Sequence, residues 1–176
     1  MELLISQLHE GENAFKFDSQ KDAWLGEVLS AVEKEGYKML SPFKVDLSLT
    51  KFEPDYYLKG AMNFSVEQTC ARCAEVFPMA VNHPFAIALA HATSGKIKPE
   101  LSEDSEELDV NFFDGNEIDL NPILGEQFFL SIPYQSLCRT DCKGVCQTCG
   151  ANLNTKKCDC TQVDALNPFS VLESWI

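Results

Sequence analysis

Five of the eight cysteines in this 176-residue chain fall within nineteen residues, in Cys142-KGV-Cys146-QT-Cys149 and, after an eight-residue excursion, Cys158-D-Cys160. Cys138 stands just upstream. So short a stretch cannot fold by burying apolar surface alone and needs covalent or metal cross-links. The compartment decides between them. The opening segment MELLISQLHEGENAFKFDSQ has no basic region and carries Glu2, Glu10 and Glu12 among its apolar residues, unlike a secretory signal. No run approaches the roughly 18 apolar residues of a membrane span. A cytoplasmic protein is expected, and a reducing compartment favours metal ligation over structural disulfides.

Zinc takes four thiolate or imidazole ligands in a tetrahedron, and a Cys-x2-Cys turn brings two sulfurs to one ion. Cys146-QT-Cys149 has this form, and Gly150 after it can take the positive φ that such turns often need. Cys158 and Cys160 supply the second half of one closed zinc site. Four cysteines remain: Cys70 and Cys73, in Cys70-AR-Cys73 at a turn between two predicted strands, and Cys138 and Cys142. These four make a second zinc site that staples the C-terminal module to the sheet, unless Cys142 is drawn into the first. A redox dithiol usually opens a helix in a βαβ setting, which this chain does not resemble. The spacing also departs from the common ferredoxin patterns. Catalytic zinc keeps an open position, whereas all-cysteine sites are closed, so the metal is expected to hold structure.

The rest of the chain reads as an α+β body. Residues 1–18 form two short strands around Glu10-Gly11-Glu12-Asn13. Ser19 is placed to cap a helix over about 21–35, with Trp24, Val28, Ala31 and Val32 as its apolar stripe and Gly36 as its stop. The period then changes to two. Val45, Leu47 and Leu49 alternate with polar residues; after a turn near Glu53-Pro54-Asp55, Leu58, Met62, Phe64 and Val66 share one side. A third run carries Phe77, Met79, Val81, Phe85, Ile87 and Leu89. Such runs predict an antiparallel sheet with one wet face. Residues 94–108 read as an acidic linker, 109–113 as a strand before the turn at Asp114-Gly115. Asn121-Pro122 starts a helix through Ile123, Leu124, Phe128 and Leu130 to Ile132-Pro133. Asn167-Pro168 opens a short terminal helix presenting Phe169, Leu172 and Trp175. The expected division is a body over 1–137 and a zinc-binding module with its terminal helix over 138–176. His9, His83 and His91 stand in no catalytic spacing, and no enzyme is expected.

Charge narrows the partners. The net charge of −13 argues against a surface that tracks nucleic-acid phosphates throughout, and suits basic partners such as RNA-binding proteins. From Glu100 to Asp119 there are nine acidic residues and no basic one, a solvated loop or a docking surface for a basic partner. Between Cys138 and Cys160 lie Arg139, Lys143, Lys156 and Lys157 against Asp141 and Asp159. Arg72, held between two cysteines, is the first candidate for an exposed partner contact; Lys143, Lys156 and Lys157 follow.

Several of these features together resemble the YceD family, named for large ribosomal RNA subunit accumulation. They are Cys70-AR-Cys73, the later Gly115-NEID-Leu120, Glu126 before an apolar helix ending in Ile132-Pro133, Leu137-Cys138 through Cys160, and Asn167-PFSV-Leu172. The resemblance spans about residues 40–176. It implies a non-enzymatic bacterial cytoplasmic factor that promotes accumulation of 23S rRNA and biogenesis of the large ribosomal subunit. The implied partner is a large-subunit precursor or a basic ribosomal protein, with direct RNA contact left open. The rival is a zinc-stabilised protein-interaction adaptor unrelated to rRNA.

Overall fold

The computed structural model describes residues 1–52, 55–92 and 109–160. The turn at Glu53-Pro54, the acidic linker and the terminal helix after Asn167 fall outside the described residues. The chain divides into two compact units, one of residues 1–68 and 78–134, the other of residues 69–77 and 135–176. Architecturally it is α+β, with a mostly antiparallel sheet, two α-helices among the described residues, and cysteine clusters toward the C-terminus.

The regular elements run β1 (Glu2–Leu4), a 3-10 turn (Ile5–Gln7), β2 (Glu12–Asp18), α1 (Leu25–Lys34), β3 (Lys38–Met39), β4 (Lys44–Phe52) and β5 (Asp55–Thr69). Then come β6 (Val76–His91), β7 (Asp109–Phe113), β8 (Glu117–Asp119) and α2 (Leu120–Ser131). The main sheet has the order β2-β4-β5-β6-β7, with β3 also on β5, while β1 and β8 make a separate two-stranded ribbon. Alternation explains the core. Val45, Leu47 and Leu49 of β4 and Tyr56, Leu58, Met62, Phe64 and Val66 of β5 are buried, and their neighbours in sequence turn to the other face. The Phe128 ring of α2 stacks on Phe64 at 4.7 Å, with Phe43 at 5.4 Å from Phe64 and Tyr37 edge-on to Phe128 at 5.5 Å. Gly60 falls on this buried face, paired with Leu47. A Cβ there would run into the Phe85 ring and come within 2.8 Å of Leu47 Cδ2. The glycine makes room for the phenylalanine.

The structure departs from the sequence reading in four places. First, α1 begins at Leu25, because the Ser19 hydroxyl accepts from the Phe43 amide at 3.0 Å and is not available as a cap. Its buried stripe is Leu25, Val28 and Val32, with Ala31 exposed. Second, β7 pairs with β6 in parallel, from Ile87↔Asp109 to His91↔Phe113. The chain between them, residues 92–108, is long enough for the crossover that a parallel pair requires. Third, Asp119 rather than Asn121 caps α2, its Oδ1 accepting from the Asn121 amide at 3.0 Å. Pro122 then falls in the first turn, where its missing N–H has no intrahelical partner to lose. Fourth, α2 buries Gln127 and leaves Leu130 exposed. Gln127 Oε1 lies 3.2 Å from His83 Nε2, and His91 Nε2 lies 3.1 Å from the Gly115 carbonyl, so two of the three histidines hold local structure.

Candidate metal centres

The described residues of the second unit have little regular structure and are organised by two turns of the same design. In the first, the Cys70 amide donates to the Glu75 carbonyl (2.9 Å) and the Ala74 amide donates back to the Cys70 carbonyl (2.9 Å). In the second, the Cys146 amide donates to Ala151 (2.8 Å) and the Gly150 amide to Cys146 (2.9 Å). Each closes a Cys-x2-Cys-x loop whose last residue sits at positive φ: +58° for Ala74 and +70° for Gly150. The glycine after Cys149 signals this turn; the alanine after Cys73 does not, so the equivalence of the two turns was hidden in the sequence.

The eight thiols fall into two groups of four, Cys70 with Cys73, Cys138 and Cys142, and Cys146 with Cys149, Cys158 and Cys160. Within each group the sulfurs all lie within 4.8 Å of one another. Cys70 Sγ is 3.8 Å from Cys142 Sγ, and Cys73 Sγ is 3.7 Å from Cys138 Sγ. A tetrahedron with metal–sulfur bonds of about 2.3 Å has sulfur–sulfur edges of about 3.8 Å, whereas a disulfide bond is about 2.05 Å. All eight cysteines are free thiols. Both groups could therefore hold a metal ion, and the donor sets are those of soft, closed, four-thiolate sites.

Around the first group the chain supplies an apolar shell and a set of N–H donors. Cys70, Cys73 and Cys142 are buried and pack with Phe77, Leu137 and Cys138. The amide of Cys138, with those of Cys73 and Arg72, brings the Cys70 thiol down to about 6 against the cost of burial. The Asn154 carboxamide, aided by the Gly144 amide, lowers Cys142. The Glu75 amide pulls Cys73 down, but burial and the Cys70 and Cys142 sulfurs together push it up. Burial, followed by the neighbouring sulfurs, drives Cys138 up to about 12. In the second group the amides of Cys149 and Thr148 lower Cys146 to about 6. Cys158 is raised chiefly by Cys146, and Cys160 is raised to about 12 chiefly by Cys149. Each cluster thus sets raised thiols beside lowered ones, and a bound cation would displace the protons that remain.

Sequence reasoning missed two asparagines here. Asn154 Nδ2 donates to Cys142 Sγ at 3.3 Å, its Oδ1 accepts from the Lys143 amide at 2.8 Å, and Asn152 Oδ1 accepts from the Asn154 amide at 2.9 Å. The available signal was Asn152-Leu-Asn154 inside the excursion, since asparagine side chains often close turns on nearby backbone. Arg72, Lys143, Lys156 and Lys157 all belong to this unit and all are exposed. Among the described residues none of the four is ion-paired, whereas Arg139 meets Asp141 at 3.6 Å. Arg72 spends one N–H on the Cys142 carbonyl (3.2 Å), which anchors the guanidinium and leaves its other donors facing outward.

The first unit carries a different surface. A cleft of about 540 Å³ is lined by Glu2, Asp114, Glu117, Asp119 and Glu126, with Phe112 and Ile123 among its apolar residues and, among the described residues, no basic side chain. Phe112 is 64% exposed there, on a strand at the border of the sheet. Glu126 accepts from Asn111 Nδ2 at 3.2 Å, and Asp119 caps α2, so Glu2, Asp114 and Glu117 carry most of the cleft's uncommitted charge. Among the described residues, no helix is long and apolar enough to cross a membrane.

A family model described as large ribosomal RNA subunit accumulation protein YceD matches residues 58–174. The chain belongs to the YceD family. That match takes in all eight cysteines, both turns and the acidic segment. Two plant relatives named large ribosomal RNA subunit accumulation protein YCED homolog 1, chloroplastic, are similar to the chain. The Zea mays protein is 26% identical over 94% of this chain and 65% of its own length; the Arabidopsis thaliana protein is 27% identical over 68% and 44%. The chain thus spans less than two thirds of either relative. No solved structure matches it. The family name implies a role in accumulation of large-subunit rRNA, and it names an accumulation factor rather than an enzyme class.

Proposed function

We propose that this chain is a non-catalytic cytoplasmic factor that promotes accumulation of 23S rRNA and biogenesis of the large ribosomal subunit, with two structural zinc ions holding its second unit. Zinc fits the two all-thiol tetrahedra, and a site closed by four cysteines has no position left for a substrate. A reducing cytoplasm keeps all eight cysteines available as ligands.

The observation that carries the reading is the separation of charge between the units. The first presents an acidic cleft with an exposed aromatic ring and, among the described residues, no basic side chain, which suits a basic segment of a ribosomal protein. The second presents Arg72, Lys143, Lys156 and Lys157, exposed and unpaired among the described residues, which suits phosphates of an rRNA precursor. Against a net charge of −13 these cations are a local surface, so the RNA contact positions the factor and the protein contact supplies most of the affinity.

The test is a tagged pull-down from native cells with RNA sequencing and protein identification, with and without RNase. Enrichment of 23S precursor and large-subunit proteins, with the proteins retained after RNase, is expected. The double charge reversal Asp114→Lys with Glu117→Lys should reduce recovery of the basic protein about tenfold while leaving zinc content unchanged. A partner set without ribosomal components would replace this reading with that of an adaptor unrelated to rRNA.

A further inference from the structure

Asn154 lies in the excursion between Cys149 and Cys158, inside one cysteine cluster, yet its side chain serves the other. Nδ2 donates to Cys142 Sγ at 3.3 Å, and Oδ1 fixes the Lys143 amide at 2.8 Å. The same two segments are joined again by the Leu153 amide on the Gly144 carbonyl (2.9 Å) and by the antiparallel bridge between Val145 and Asn152. Gly144 is itself tight against the first turn: at φ +74°, a Cβ on it would stand 3.1 Å from the Arg72 carbonyl oxygen. Residues 142–145 are thus clasped on one side by the Cys70-AR-Cys73 turn and on the other by the excursion of the second cluster. Both ends of that excursion belong to the second cluster, Cys149 before it and Cys158 after it.

We infer that Asn154 couples the two clusters, so that an ion held by Cys146, Cys149, Cys158 and Cys160 strengthens metal binding by Cys70, Cys73, Cys138 and Cys142. This rests on reading both clusters as metal sites. With the second cluster ligated, the excursion is a closed loop and its ordering entropy is spent once. The Asn154 carboxamide is then held where it donates to the sulfur that carries charge when Cys142 ligates, a stronger bond than one to a neutral thiol. With that cluster open, the excursion has to be ordered each time the first site fills. Linkage makes the effect reciprocal: filling the first site strengthens the second by the same factor.

The full-length chain, stripped of metal by a chelator under reductant, is titrated with zinc, and the bound ions are counted by native mass spectrometry. At one equivalent the one-zinc species should fall below the share that independent sites give, with metal-free and two-zinc species in excess. In Asn154→Ala, which keeps all eight ligands, the one-zinc species should become dominant. Blocking the second cluster with Cys149→Ser should weaken the remaining site about tenfold, the worth of one hydrogen bond to a charged atom. Adding Asn154→Ala in that background should then cost little more. A wild-type distribution matching independent sites overturns the coupling and leaves the metal reading standing. An equal loss from Asn154→Ala in both backgrounds also overturns it, since Asn154 would then act on Cys142 alone. A folded chain that retains no zinc removes the metal reading and the coupling with it.

Discussion

Ala74 and Gly150 occupy the same place in two equivalent turns, but only one of them suits the backbone conformation required there. A non-glycine residue at φ +58° pays about 1–2 kcal/mol, while replacing alanine by glycine loosens the unfolded chain by about 0.4–1 kcal/mol. The first term is the larger, so Ala74→Gly should stabilise the chain slightly. By the same balance with the sign reversed, Gly150→Ala should destabilise its turn by a comparable net, up to about 1.5 kcal/mol. Zinc-chelator competition on the two variants checks both signs, since each turn presents two ligands. Gly60 makes a different case, because its demand is for space rather than for conformation. Gly60→Ala drives a methyl into Phe85 and Leu47 and should cost about 1–3 kcal/mol of overpacking, read from a urea unfolding curve.

The strands and the long reach of the thiol pattern were legible because period-two alternation and Cys-x2-Cys spacing are local signals. β4 and β5 bury the residues their alternation predicts. Less was legible where a long-range partner decides the outcome. Ser19 has the chemistry of a helix cap but is claimed by Phe43 across 24 positions, and nothing near Asp109 announces a parallel partner. The grouping of Cys142 with Cys70, Cys73 and Cys138 is of the same kind, since the sequence allowed either division and the fold of the chain decides. On the proposed metal reading, each turn supplies two ligands to its own cluster. Cys146→Ser should retain one zinc instead of two by native mass spectrometry and lose ordered amide signals over 143–160 in an NMR spectrum. The first unit's helix and strand signals should survive, because its core of Phe43, Phe64 and Phe128 contains no cysteine.

The two units should respond differently to solvent conditions. In the metal-free chain at neutral pH, Cys138 and Cys160, both raised to about 12, hold their protons, as do Cys73 and Cys158, which are also raised. Ligation has to displace those protons, so zinc affinity rises with pH and falls on acidification. Cys70 and Cys146, lowered to about 6, are thiolates at neutrality and take up protons only below that value. Zinc release should therefore steepen as pH drops through about 6, followed with a metallochromic indicator and set beside the unfolding of the first unit. If release and unfolding coincided at every pH, the second unit would not be held by metal in its own right.

The first cysteine turn sits on the bend between β5 and β6, while its partners come much later, Cys138 being 65 positions after Cys73. Synthesis at about 5–20 residues per second separates the two halves of this site by roughly 3–13 s. During that interval a nascent chain displays an open dithiol, able to take a metal it cannot yet enclose or to meet an oxidant. On the proposed reading of this cluster as a metal site, metal supply and chain elongation race on every molecule made, and the order of the cysteines along the chain sets the length of that race.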